Sequence, residues 1–176
     1  MGNRAFVIFA NKDWTKFSPA VYLHWNGGPE SVYAFLEELN HREVRADQEY
    51  ECARFVQIAG EFFDSNGHYT GLSLGVQSVP EGVDLEHLTQ KFDPGDNGLY
   101  VVCREGSPKE GIVVRRFGYG GAEVSEKVVK GEREAVLLND TYYEGIRGQF
   151  RAADRGRITE SEWMKKLHFS KKGEVK

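Results

Sequence analysis

The sequence predicts an α+β fold: a largely antiparallel sheet packed against two main amphipathic helices, with short C-terminal helices. Three observations predict it. Strand-like segments arrive in pairs joined by turns instead of alternating strictly with helices, which favours antiparallel pairing over a doubly wound sheet. Two segments, 32–39 and 52–63, carry apolar residues at helical spacing. Twenty glycines in 176 residues supply the turns that several short strands need.

Residues 4–10 (RAFVIFA) are β-branched and aromatic, and read as a strand. A polar loop from Asn11 to Pro19 leads to a second strand, 20–25, and its length suits a hairpin. Asn26-Gly27-Gly28-Pro29 stops that strand and opens a helix, because proline at the first helical position has its φ preset and no amide hydrogen to leave unpaired. Val32, Phe35, Leu36 and Leu39 then mark one helical face, with an end expected near His41. From Asp47 to Phe63, Cys52, Ala53 or Val56, Phe55, Ala59, Phe62 and Phe63 form a wide apolar stripe, while Glu49, Arg54, Gln57 and Glu61 fill the other side. Gly67 suits the left-handed cap that would end this helix.

Residues 69–79 alternate, with Leu72, Leu74 and Val76 on one face and Ser73, Gly75 and Gln77 on the other, as in a half-buried strand. Leu85, Leu88 and Phe92 suit a short helix after the break at Pro80-Glu81-Gly82. The turn cluster 93–98 precedes two strands, 99–104 and 111–117, read as a hairpin around the loop 106–110. Gly118 to Gly121 turns into a further strand, 122–129, and residues 132–138 and 140–153 read as helical. Thr159-Glu160-Ser161-Glu162 has capping-box form before Trp163, Met164 and Leu167, which predicts a last short helix. No repeat or linker divides the chain, so residues 1–169 are expected to form one domain and 170–176 a frayed basic tail.

The formal net charge of −4 disfavours a general nucleic-acid coat. Residues 145–176 nevertheless carry nine Lys or Arg against four acids, a net of +5 that leaves −9 for the rest. An acidic body with a basic end suits charged partners, or is simply a solvated terminal helix. Cys52 and Cys103 lie in apolar stretches and read as buried thiols. The apolar part of the N-terminus is short for a signal peptide, and no run approaches a membrane span, so the expectation is a cytoplasmic protein without membrane contact.

Two groups of residues are candidate sites. In the first, a strand end, two glycines and a helix start lie together, and free amides there favour an anion. His24, Trp25, Asn26, Gly27, Gly28 and Ser31 are its candidate ligand-binding residues, although no Lys or Arg lies within the turn. The competing reading is a plain strand-to-helix connection with Trp25 in packing. In the second, Tyr142, Tyr143, Arg147, Arg151 and Arg155 would make a basic, aromatic helix face suited to docking a protein or stacking on bases, with core packing of the tyrosines as the competing use.

Other chemistry finds no support. His24, His41, His68, His87 and His168 show no paired metal-ligand spacing, and there is no C-x-x-C, so no metal or other cofactor is expected. The stretch 151–162 imitates a calcium loop at Gly156, Ile158 and Glu162, but Arg151, Ala153 and Arg155 stand where oxygen ligands belong. Gly118 to Gly121 lacks the Walker lysine and the Rossmann spacing. Neither cysteine has a histidine nearby in sequence, and no Gly-x-Ser-x-Gly occurs, so no catalytic residue is assigned.

Met1 to Phe9 (MGNRAFVIF), followed by Val21 to Gly28 (VYLHWNGG) and Ser31-Val32, resembles small proteins carried by phages, prophages and plasmids. The resemblance implies a setting: mobile elements encode small non-enzymatic proteins that bind and block host machinery. It implies no catalytic residues. The leading expectation is therefore a non-catalytic interaction protein with a protein partner, inhibiting a host defence or nucleic-acid-processing complex. The alternative is a small enzyme or binding module acting on a nucleotide or other anion at the turn 24–31, with His24 as its acid–base group. Direct nucleic-acid binding through the basic tail is the less favoured third reading, and the oligomeric state is not fixed by the sequence.

Overall fold

The computed structural model describes residues 3–62, 73–104, 111–118, 123–129 and 140–153. Among these, six strands make one sheet: β1 (Ala5–Ala10), β2 (Ala20–Leu23), β3 (Leu74–Gln77), β4 (Leu99–Arg104), β5 (Ile112–Phe117) and β6 (Glu123–Val129). Four helices accompany them: α1 (Pro29–His41), α2 (Gln48–Glu61), α3 (Leu85–Lys91) and α4 (Asp140–Ala153). The fold is α+β, as the hairpin pattern predicts.

The strand order is β3-β2-β1-β4-β5-β6. Every neighbouring pair is antiparallel except β1 and β4, which run parallel with Phe6 opposite Leu99 and Ala10 opposite Cys103. The two antiparallel halves thus meet along a parallel seam at the centre of the sheet, a join that the local sequence pattern did not announce. Both seam strands are buried along their whole length. Their side chains alternate between two cores, as strand geometry requires. Ala5, Val7, Phe9, Tyr100 and Val102 face α1, α2 and α4, whereas Phe6, Ile8, Leu99, Val101 and Cys103 face α3.

The larger core is aromatic. Phe35 of α1 meets Phe55 of α2, Phe62 just past the end of α2 and Phe150 of α4 at ring-centroid distances of 6.0, 5.3 and 6.0 Å, and Phe9 of β1 closes on Phe55 at 5.6 Å. Each such ring contributes about 1.5–3 kcal/mol through burial. Proline begins α1 as expected, and Asp47 caps α2 by accepting from the Glu49 and Tyr50 amides.

The stripe of α2 is Cys52, Phe55, Ile58, Ala59 and Phe62, with Glu51 also buried. Ala53 is exposed, so of the two alternatives it is Val56 that joins the stripe, packing half-buried against the core. Of the strand expected over 69–79, residues 69–72 lie outside the described residues; β3 covers Leu74–Gln77, Leu74 and Val76 share a face as expected, and Val76 on this edge strand is 55% exposed instead of half-buried. The expected features at 63–72, 106–110, 119–121, 132–138 and 159–167, the Gly156 connection and the tail from 170 lie outside the described residues.

Candidate functional site

At the start of the parallel seam the chain folds the segment 24–31 tightly onto Asn3. The Asn3 amide donates to the His24 carbonyl (3.0 Å), and the Gly27 amide donates back to the Asn3 carbonyl (2.8 Å). Asn26 is buried with φ of 60°, a left-handed conformation that asparagine tolerates better than most residues. A Cβ on Gly27 would stand 2.6 Å from the Asn3 carbonyl oxygen and 2.7 Å from the Ala5 amide nitrogen, so glycine is required for this close approach. The Tyr100 hydroxyl donates to the Gly27 carbonyl at 3.2 Å, and burial pushes its pKa well above the usual phenol value, keeping the donor protonated.

The structure gives two of the predicted ligand residues, His24 and Gly28, other duties. His24 Nδ1 lies 3.0 Å from the Tyr22 hydroxyl, and its ring packs edge-on to Trp25 at 5.1 Å. Gly28 is the N-cap of α1, and no side chain caps that end. The space where a Gly28 Cβ would sit is flanked by the Asn3 side-chain amide at 3.2 Å and the Glu30 carboxylate at 3.5 Å, so an acidic side chain of the first turn lies near the positive helix end. Ser31 is buried, and its hydroxyl has no hydrogen-bond partner among the described residues.

Two arginines distant in sequence reach this region. Arg4 pairs with Asp96 at 2.8 Å, and its hydrogen bonds hold the Asp96 carboxyl below the usual carboxylate range. Arg116 lies over the Tyr100 ring and donates to the Asn97 carbonyl at 3.1 Å, while the Asn97 side chain in turn donates to Asn3 Oδ1. Both cations are thus already engaged. The turn is closed by bonds within the chain.

The expected basic, aromatic face of α4 is also corrected. Tyr143 is fully buried in the larger core, so it offers no surface to a partner. Arg147 crosses to α1, pairing with Glu37 at 2.8 Å and with Glu144 at 3.1 Å, and it lies 5.4 Å above the Tyr143 ring. Its charge is spent on fastening α4 to α1. The side chains of Tyr142, Arg151 and Arg155 lie outside the described residues.

A third polar group was not foreseen. Arg104, the last residue of β4, donates through Nε to Glu51 Oε1 (2.6 Å) and through Nη1 to Asn40 Oδ1 (2.7 Å), and both charged side chains are almost wholly buried. Burial pushes the Glu51 carboxyl above its ordinary value, with the hydrogen bond and charge of Arg104 pulling the other way. This network ties the end of α1, the first turn of α2 and the sheet together. It is too enclosed to meet a ligand.

The exposed chemistry lies on the opposite flank. Cys52 Sγ sits 3.5 Å from the Pro19 carbonyl, which sets the first turns of α2 beside the start of β2 and hence beside β3. Val21 pairs with Val76 and Leu23 with Leu74, so these side chains share the face that α2 covers. Leu74 and Val56 are half-buried there, Ala53 is exposed, and Val76 stands out at 55%. Tyr50 is the other exposed large hydrophobic residue among those described, at 50%, and the Arg45 guanidinium lies 5.2 Å over its ring. Val76 therefore heads an apolar strip at an open sheet edge, among the described residues.

Among the described residues, no three His, Cys, Asp or Glu side chains are grouped to hold a metal ion, and no helix is long and apolar enough to cross a membrane. Cys52 and Cys103 are both buried and are not joined in a disulfide. Compared with family models, curated proteins and solved structures, the chain matches none.

Proposed function

We propose that this chain is a non-catalytic interaction protein that binds a protein partner along the flank formed by α2 and β3. The observation that carries the reading is Val76, an exposed aliphatic side chain on a short edge strand, on the same face as the half-buried Leu74. The backbone groups of an edge strand can pair with another chain, and an apolar side chain on that strand adds contact to the pairing. The resemblance of the N-terminal segment extends the proposal: the protein belongs to a mobile element and blocks a host defence or nucleic-acid-processing complex. The acidic body, −9 outside residues 145–176, suits a basic partner surface and adds steering to the apolar contact.

The test is capture from bacterial host lysate at low and high salt with the native chain and Val76→Lys. A specific partner retained by the native chain at both salts and lost by the variant supports the proposal. No specific partner under either condition, or equal capture by both chains, overturns it.

The alternative, a small enzyme or binding module taking a nucleotide or other anion at 24–31, has the nearness of Arg4 and Arg116 in its favour and the Glu30 carboxylate against it. A thermal-shift screen against nucleotides separates the two, since a ligand at about 100 times its Kd stabilises by about 2.7 kcal/mol. A flat screen removes this alternative.

A further inference from the structure

We draw no further inference here: the strongest candidate, the groove of about 110 Å³ between α1 and α4 lined by Ala34, Glu37, Glu38, His41, Arg147 and Phe150, has its carboxylates paired with Arg42 and Arg147, and nothing in the structure shows what covers it.

Discussion

The turn from His24 to Ser31 and the flank of α2 and β3 differ in a way that reverses their appearance in sequence. The turn carries the residues that suggest chemistry, namely histidine, tryptophan, asparagine, two glycines and a helix start. Folded, its Gly27 amide and its His24 and Gly27 carbonyls are bonded to Asn3 and Tyr100, and the Asn3 and Glu30 side chains lie beside Gly28 at the start of α1. The flank reads as an ordinary alternating strand beside an ordinary helix, yet it exposes Val76. Distinctive residues can be spent entirely on backbone closure, while an undistinguished strand becomes a contact surface merely by standing at the edge of its sheet.

This contrast can be broken at several points, and the enclosed polar interior should give the largest response. Arg104→Met leaves Glu51 buried without its cation and is expected to cost about 3–5 kcal/mol in a denaturant titration. Pairing it with Glu51→Leu should restore most of that loss, because ionised Glu51 is itself costly: its raised folded pKa gives stability that is present at low pH and lost as pH rises through that value. A double variant as unstable as the single one would mean that the pair stabilises the fold by more than charge compensation.

Gly27→Ala comes next. With backbone atoms of Asn3 and Ala5 at 2.6 and 2.7 Å from the new methyl, a loss of about 2–3 kcal/mol is expected. An unchanged melting temperature would show that the turn yields easily, and would return it to the list of adaptable ligand sites. Ser31→Ala probes the same place from beneath. Its hydroxyl has no partner among the described residues, so stability should change by less than about 0.5 kcal/mol or rise. A loss well beyond that would reveal a hydrogen bond made by this hydroxyl.

The smallest effect belongs to the exposed pair at the mouth of the turn. Asp96 should titrate below the usual carboxylate range by NMR, and Arg4→Gln should return it towards that range. Its contribution to stability is present above the unfolded value of about 3.9 and fades as pH falls through the depressed folded value. Titration that is indifferent to Arg4 would place the cause in the backbone of the turn.

Much of the architecture was legible in local pattern, because apolar periodicity and glycine or proline stops are local quantities. The Val32 to Leu39 spacing and Pro29 located α1, and the stripe around Phe55 located α2. The parallel seam was not legible, since nothing within β1 or β4 specifies a partner so far along the chain. Glu51 is one of several acids near a helix start and carries no signal by itself, although its spacing to Phe55, Ile58 and Phe62 puts it on the buried stripe. Arg104 looked like a polar strand end, although it follows a run buried on both faces and therefore needed a counter-charge. For the turn, sequence proximity grouped the right residues but could not show that Asn3, Tyr100 and Glu30 would occupy it. Val76 takes the same face as Leu74, as alternation predicts, but alternation says nothing of whether that face is covered at the edge of a sheet.

The parallel seam also bears on how the chain is made. The residues that face each other across β1 and β4 are about ninety positions apart, so the join needs closure of a long loop before it yields any contact. At synthesis rates of about 5–20 residues per second, β1 waits several seconds for the strand that completes it. During that interval its apolar side chains on both faces and one row of peptide groups are uncovered, which makes the emerging N-terminal half the stage of this protein's life at which a chaperone has most to hold.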